Sequence, residues 1–398
     1  NTWTVMDKRG IEVYKNLVKA KEVKFNHPYG FKFTFDYVPQ VDCFGSARKS
    51  QCVVKFKDLE TGNYVYQGET SPGLFTRLYR RWFSKWVIEA YENDEKIYDF
   101  NFEKSLNGSK VCISIDSSSL GDTLAWAPVV EKFRIKYNLD LYVDTFWDEL
   151  LAQYYPETRF YKHGYREPNT NTIIGIGWYE ETDRNLHRRD PRSISLQQVG
   201  GDILGIDVSG DVLNEKLPDT VIRSKPSIEG KYVCLAMDST ANAKHWHYPG
   251  GWQSTVDYLN SIGYKVVVIQ KQSTNLKNVI DKTGDIDILE RMVDIYHSEF
   301  LVGIGSGLSW LAWSLHKPVV MVSGFSDPKC EFSNDNYRVI NKDVCHGCFN
   351  DTSLKFDRGD WDWCPRLKET PRRFECTTSI TPKMVHDKID LLIKEKLS

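Results

Sequence analysis

Apolar and polar positions divide the chain into two regimes. From about residue 25 to 102 the pattern alternates. FKFTFDY at 31–37 places apolar residues at every second position, as a half-buried strand does. Residues 52–56 and 64–66 flank 58–63, which reads as a hairpin with Gly62 in the turn. Residues 86–91 and 97–100 flank a second turn at 92–96. The pattern predicts a small antiparallel sheet or barrel over 1–107, interrupted by a helix at 74–86, with partner or subunit contact as its work. After Asn107-Gly108 the pattern changes. Strands predicted at 111–115, 141–143 and 173–176 alternate with helices at 123–137 and 146–155. A polar, partly Pro-rich stretch at 185–226 follows, with 196–204 read as a helix or loop on the substrate side. A second series starts at Lys231: strand 232–237, polar loop 238–250, helix 251–262, strand 265–269 and helix 286–297. This is the α/β class, with two doubly wound Rossmann-like domains at 108–228 and 229–398 and a cleft between the carboxyl ends of their sheets.

The chain turns on EFLVGIGSGLSWLAWSLHKPVVMVSGFSDP at 299–328. A short apolar run, a Gly-Ile-Gly-Ser-Gly turn, a helix with Leu308, Leu311, Ala312 and Leu315 on one face, and a Pro-delimited Val-rich run make strand, loop, helix, strand. Such a unit is expected to leave the amides of Ser306, Gly307, Leu308 and Ser309 unpaired at a helix N-terminus, where a diphosphate fits. It is not a P-loop, for no Gly-Lys-Ser/Thr follows, and it lacks the third glycine of a dinucleotide fingerprint. Two loop residues join it. Asp122, in Ser-Leu-Gly-Asp-Thr, reads alone as a helix N-cap and in this context as a general base. Lys244, in Ser239-Thr240-Ala-Asn-Ala-Lys, reads alone as a solvated lysine and in this context as a phosphate ligand, with the Ser239 and Thr240 hydroxyls beside it.

Composition narrows the class. A length of 398 residues implies roughly two to three domains. No apolar run is long enough to span a membrane. Residues 1–21 are charged without an apolar signal core and read as cytoplasmic. A net charge of −2 argues against nucleic-acid binding. The basic, aromatic run RLYRRWFSKW at 77–86 is therefore taken as an amphipathic helix with a solvated face. Cys43, Cys52, Cys112, Cys234 and Cys330 are scattered and read as buried thiols. Cys345, Cys348, Cys364 and Cys376 are clustered, as Cys-x2-Cys followed by a third and a fourth thiol. That spacing predicts one four-thiolate structural site within 341–378, for zinc or a single iron.

Leu-Gly-Asp-Thr, Ser-Thr-x3-Lys-x-Trp, Gly-Ser-Gly-Leu-Ser-x8-Pro-Val-Val and Gly-Phe-Ser-Asp-Pro together resemble the ADP-heptose heptosyltransferases of lipopolysaccharide synthesis, over about 111–398. The N-terminal β-rich domain and the four-cysteine insertion narrow the resemblance to the bacterial autotransporter heptosyltransferases. The resemblance implies a GT-B fold and an inverting transfer of heptose from ADP-heptose to serines of an autotransporter adhesin. It implies Asp122 as base and Lys244, Ser239, Thr240 and the Ser306 to Ser309 loop on the donor. It further implies iron in the cysteine finger and a homododecamer. The sequence departs from the lipopolysaccharide pattern at Gly305, where that pattern has an acid, and at Trp310, where it has a histidine; the sugar must meet other groups here. Other nucleotide-dependent α/β enzymes, and a scaffold that kept the fold without the transfer, are the alternatives.

Overall fold

The computed structural model describes residues 29–45, 51–180 and 183–398. Residues 1–21, whose charge was read as cytoplasmic, lie outside the described residues. The described chain forms two compact units. The first holds residues up to Thr34, Gln40–Leu78 and Trp86–Phe102; the second holds Phe35–Pro39, Tyr79–Lys85 and Glu103–Ser398.

In the first unit β1 (Tyr29–Asp36) and β2 (Val38–Gly45) precede β3 (Cys52–Asp58), β4 (Tyr64–Thr70), β5 (Phe75–Arg77), β6 (Trp86–Glu92) and β7 (Glu95–Asn101). Strands β4-β3-β6-β7 form an antiparallel sheet in that order. Both expected hairpins are present. Gly62 has φ +73° in the first turn, and Asn93 and Asp94 both have positive φ in the second, as a tight hairpin turn requires. Along β3 burial alternates residue by residue, so Cys52, Val54 and Phe56 point into the core.

The helix expected at 74–86 does not form. Phe75–Arg77 is a strand paired antiparallel with β2. Beyond it the backbone donates outward: the Arg81 N–H to the Asn185 carbonyl (2.8 Å) and the Phe83 N–H to the Ile203 carbonyl (2.7 Å). Donors engaged by distant carbonyls cannot close helical turns. The adjacent Trp82 and Phe83 are both buried, and Arg81 is not left to solvent: it lies 3.9 Å from the Tyr179 ring centroid and 3.7 Å from the Asp116 carboxylate.

In the second unit β8 (Lys110–Ile115), β9 (Asp140–Thr145), β10 (Arg159–Lys162) and β11 (Thr172–Ile176) lie in the order β10-β9-β8-β11, all parallel, and Phe35 and Asp36 pair parallel with Thr172 and Ile173 beyond β11. A second parallel sheet runs β14-β13-β12-β15-β16-β17, from β12 (Tyr232–Ala236), β13 (Lys265–Val268), β14 (Ile280–Asp281), β15 (Leu301–Ile304), β16 (Val319–Val322) and β17 (Asn336–Val339). Strands buried on both faces read as short Val-rich runs, and helices cover them. Val256 and Leu259 of Gly251–Ser261 and Val385, Ile389 and Leu392 of Pro382–Lys396 pack on Val233, Val266, Val302 and Val320. Among the described residues no helix is long and apolar enough to cross a membrane.

Candidate active site

Each sheet has a point where its winding reverses. In the first sheet β8 leads to β9 on one side while β11 flanks the other; in the second β12 leads to β13 on one side while β15 flanks the other. The loops leaving the carboxyl ends of such strands diverge and leave a crevice. Asp122 follows β8 and Trp178 follows β11. Lys244 follows β12 and the Gly305 loop follows β15.

Asp122 sits in the first turn of the helix Leu120–Tyr137, but it is not the cap. Ser119 is, its Oγ accepting from the Asp122 N–H (3.4 Å). The Asp122 side chain is thus free of the helix. It accepts from Ser117 Oγ (2.7 Å) and, across the reversal point, from the Trp178 indole N–H (2.8 Å). Burial pushes its carboxyl above the usual carboxylate range. The Ser117 hydrogen bond, the Lys244 charge, the Trp178 hydrogen bond and the Arg358 charge pull the other way. A role as base needs the ionised form and predicts that kcat/KM falls as pH drops through the Asp122 pKa, with the acid limb centred above 3.8; a rate profile flat down to that pH contradicts such a role.

The glycine loop leads into the helix Gly307–Ser314. Of the four amides expected to be unpaired, two are engaged. Ser306 N–H donates to the Ile304 carbonyl (2.7 Å) and Ser309 N–H to the Ser306 carbonyl (3.1 Å), while Ser309 Oγ donates to the Ile304 carbonyl (2.7 Å). That leaves the amides of Gly307 and Leu308, at the positive end of the helix dipole, as the donors an anion would meet. This helix start abuts that of Leu120–Tyr137. A Cβ on Gly307 would lie 2.9 Å from Leu120 Cβ and 3.3 Å from the Gly121 nitrogen. Only glycine permits that approach. It brings the turn that carries Asp122 beside the loop.

Lys244 ends a single 3-10 turn, Asn242–Lys244, and its ammonium lies 5.8 Å from the Phe325 ring centroid. Ser239 and Thr240 lie upstream in the same loop, where the Ser239 N–H donates to the Asp238 carboxylate (2.9 Å). The turn is seated on the cysteine-bearing segment. Asn242 N–H donates to the Trp361 carbonyl (3.0 Å), the Asn242 side chain donates to Asp362 (2.7 Å), and Ala243 packs in a small core with Phe325, Trp363, Cys364 and Phe374.

Cys345, Cys348, Cys364 and Cys376 line one cavity of about 20 Å³ beside that core. Four sulfurs about 2.3 Å from one ion stand about 3.8 Å apart, and Cys345 Sγ and Cys348 Sγ are 4.0 Å apart. Among the described residues no three ligand side chains are drawn in to ion-holding distance. Burial and the neighbouring sulfurs push the Cys348 and Cys376 thiols up to about 12, so these two are poorly ionised without a cation. The donor set fits a metal that prefers sulfur.

A cavity of about 580 Å³ lies behind Trp178, lined also by Tyr179, Arg192, Lys355, Phe356 and Arg358. Buried Arg192 holds its far wall, donating to the carbonyls of Phe349 (2.7 Å), Asp351 (2.6 Å) and Leu354 (2.7 Å). Trp178, Arg358 and Arg192 escaped the sequence reading because they act on residues far away in the chain; Gly177-Trp178 directly after a strand was the one signal.

No family model matches the chain. It is 34% identical over 349 residues to the autotransporter heptosyltransferase Aah of Escherichia coli, covering 85% of this chain and 88% of Aah. It is 27% identical over 344 residues to the inactive autotransporter heptosyltransferase BimC of Burkholderia thailandensis, covering 83% of this chain and 79% of BimC. The crystal structure of TibC, an iron-containing dodecameric glycosyltransferase of enterotoxigenic E. coli, superposes with a TM-score of 0.83 at 30% identity, over 94% of this chain and 98% of TibC. TibC has also been solved with ADP-D-beta-D-heptose, and that structure matches with a TM-score of 0.81 at 29% identity, over 92% of this chain and 96% of TibC. At these identities and coverages the chain belongs to the autotransporter heptosyltransferases, a family of glycosyltransferases.

Proposed function

We propose that this protein is an inverting GT-B enzyme that moves heptose from ADP-heptose to serine hydroxyls of an autotransporter adhesin. The supporting observation is the junction of the helix starts at Gly121 and Gly307, which sets the Asp122 turn beside the Gly307 loop. The serine oxygen attacks the anomeric carbon as the bond to the β-phosphate oxygen breaks. Asp122 takes the hydroxyl proton. The charge left on ADP is met by the Gly307 and Leu308 amides and by Lys244, with Ser239 and Thr240 as further donors. The cavity lined by Trp178, whose indole N–H donates to Asp122, takes the acceptor segment. Incubation with ADP-heptose and an adhesin passenger should release ADP only when both are present, and the product linkage should have the anomeric configuration opposite to the donor's. Retained configuration contradicts a single displacement. A fold kept without transfer is the second reading, favoured by the similarity to inactive BimC.

The cysteine cluster is proposed to hold one structural metal, iron in preference to zinc, on Cys345, Cys348, Cys364 and Cys376. Four protein thiolates close the coordination shell, so the ion supplies structure and not catalysis. Through Ala243 and Asn242 the segment seats the Lys244 turn. Cys364→Ser is therefore expected to lower metal content from one per chain towards none, to reduce the melting temperature and to weaken ADP binding together. Full metal content in the variant, measured by elemental analysis, contradicts the ligand assignment. Visible absorption like that of an iron tetrathiolate selects iron over zinc.

A homo-oligomer, a dodecamer as in TibC, is part of the proposal. In the first unit Leu59, Tyr64, Tyr66, Leu74 and Phe75 are exposed, apolar surface of a kind that a second copy would cover. Cytoplasmic placement goes with the use of an ADP-sugar.

A further inference from the structure

Beside the glycine loop the structure holds polar groups that the fold does not use. Ser323 is 1% exposed, and its hydroxyl has no hydrogen-bond partner among the described residues. The buried Ser306 hydroxyl, in the loop itself, has none either. An unmet buried hydroxyl is a standing cost to stability that native structures seldom carry without a use. Between the two lies Gly305. A Cβ there would come within 3.1 Å of Glu331 Oε1 and 3.6 Å of Ser323 Oγ. The carboxylate and the idle hydroxyl thus lie against the loop where glycine, with no side chain, covers neither.

Glu331 is held firmly. Its Oε1 accepts from Ser326 Oγ (2.6 Å), and its Oε2 accepts from Arg338 (2.7 Å). Arg338 is fixed in turn by donating to the Ser323 carbonyl (3.2 Å) and the Ser326 carbonyl (2.7 Å). A carboxylate has about four lone-pair sites, and these contacts use two. One of the free ones belongs to Oε1, the oxygen nearest Gly305. A fixed acceptor and a neighbouring hydroxyl that donates or accepts match adjacent hydroxyls of a polyol.

We infer that Glu331 and Ser323, beside Gly305, bind hydroxyls of the donor's sugar and set its selectivity. The inference rests on the proposed ADP-sugar donor and names the residues that read its sugar. Neither residue touches the diphosphate in this assignment, so ADP binding is independent of both.

The test is calorimetric titration of wild type, Ser323→Ala and Glu331→Gln with ADP and with ADP-heptose. Ser323→Ala removes an unpaired hydroxyl, so its melting temperature should not fall. It is expected to bind ADP as wild type does and ADP-heptose about 5- to 10-fold more weakly. Glu331→Gln is expected to lose about 10- to 100-fold for ADP-heptose only, since a hydrogen bond to a charged acceptor is worth more than one to a neutral acceptor. Unchanged ADP-heptose binding in both variants overturns the inference, as does equal weakening for ADP and ADP-heptose in Ser323→Ala. Wild-type protein that binds ADP but not ADP-heptose overturns the donor itself and this inference with it.

Discussion

Asp122→Asn is expected to lower adhesin glycosylation about 10²- to 10⁴-fold, the contribution typical of a positioned base. ADP-heptose binding should survive. The asparagine carbonyl can still accept from Ser117 and Trp178, whose hydrogen bonds converge on one oxygen, Oδ2, so the local geometry is kept. Ser119, not Asp122, caps the helix. Stability gives an independent check with a definite sign. The folded-state pKa of Asp122 is raised by burial, so between its unfolded and folded values the native state binds more protons than the unfolded state. Stability from this group is present below that window and lost as pH rises through it. At neutral pH the ionised carboxylate is therefore a cost, and Asp122→Asn should melt no lower than wild type. Near-normal transfer by a folded Asp122→Asn enzyme refutes the base assignment; a large fall in melting temperature would give Asp122 a structural role instead.

Lys244→Ala carries the second large effect. Negative charge grows on the β-phosphate as the glycosidic bond breaks, and a preformed cation there is worth more in the transition state than in the ground state. Loss of such a group costs about 10²- to 10³-fold in kcat. The lysine charge also favours ionised Asp122, so its removal should move the acid limb of the pH profile upward. A surface lysine would shift neither quantity. Measuring kcat and the pH profile together separates a phosphate ligand from a residue that only keeps the loop folded.

Much of this was legible in the sequence, for identifiable reasons. Short Val-rich runs bounded by glycine and proline have few other uses than buried parallel strands, and β12, β13, β15 and β16 lie where the runs fall. The order of a loop acid, a loop lysine and a glycine turn located three loops that the topology then gathers at two reversal points. What was hidden depends on long-range partners. The 74–86 segment carries aromatic and basic residues that suit a helix, but its backbone is captured by Asn185 and Ile203. Trp178 reaches Asp122 from 56 residues away. Glu331 approaches Gly305 only after β16 has been laid beside β15. The four loop amides could be counted from sequence, but the tight turn that engages two of them could not.

Heptose transfer itself is tested most directly by the intact mass of an adhesin passenger after incubation with ADP-heptose and either wild-type or Asp122→Asn enzyme. The expected result is a ladder of heptose additions on serines with wild type and an unmodified passenger with Asp122→Asn. An unmodified passenger in both incubations, with ADP-heptose binding intact, would contradict the proposed transfer and leave a fold that binds the donor without using it.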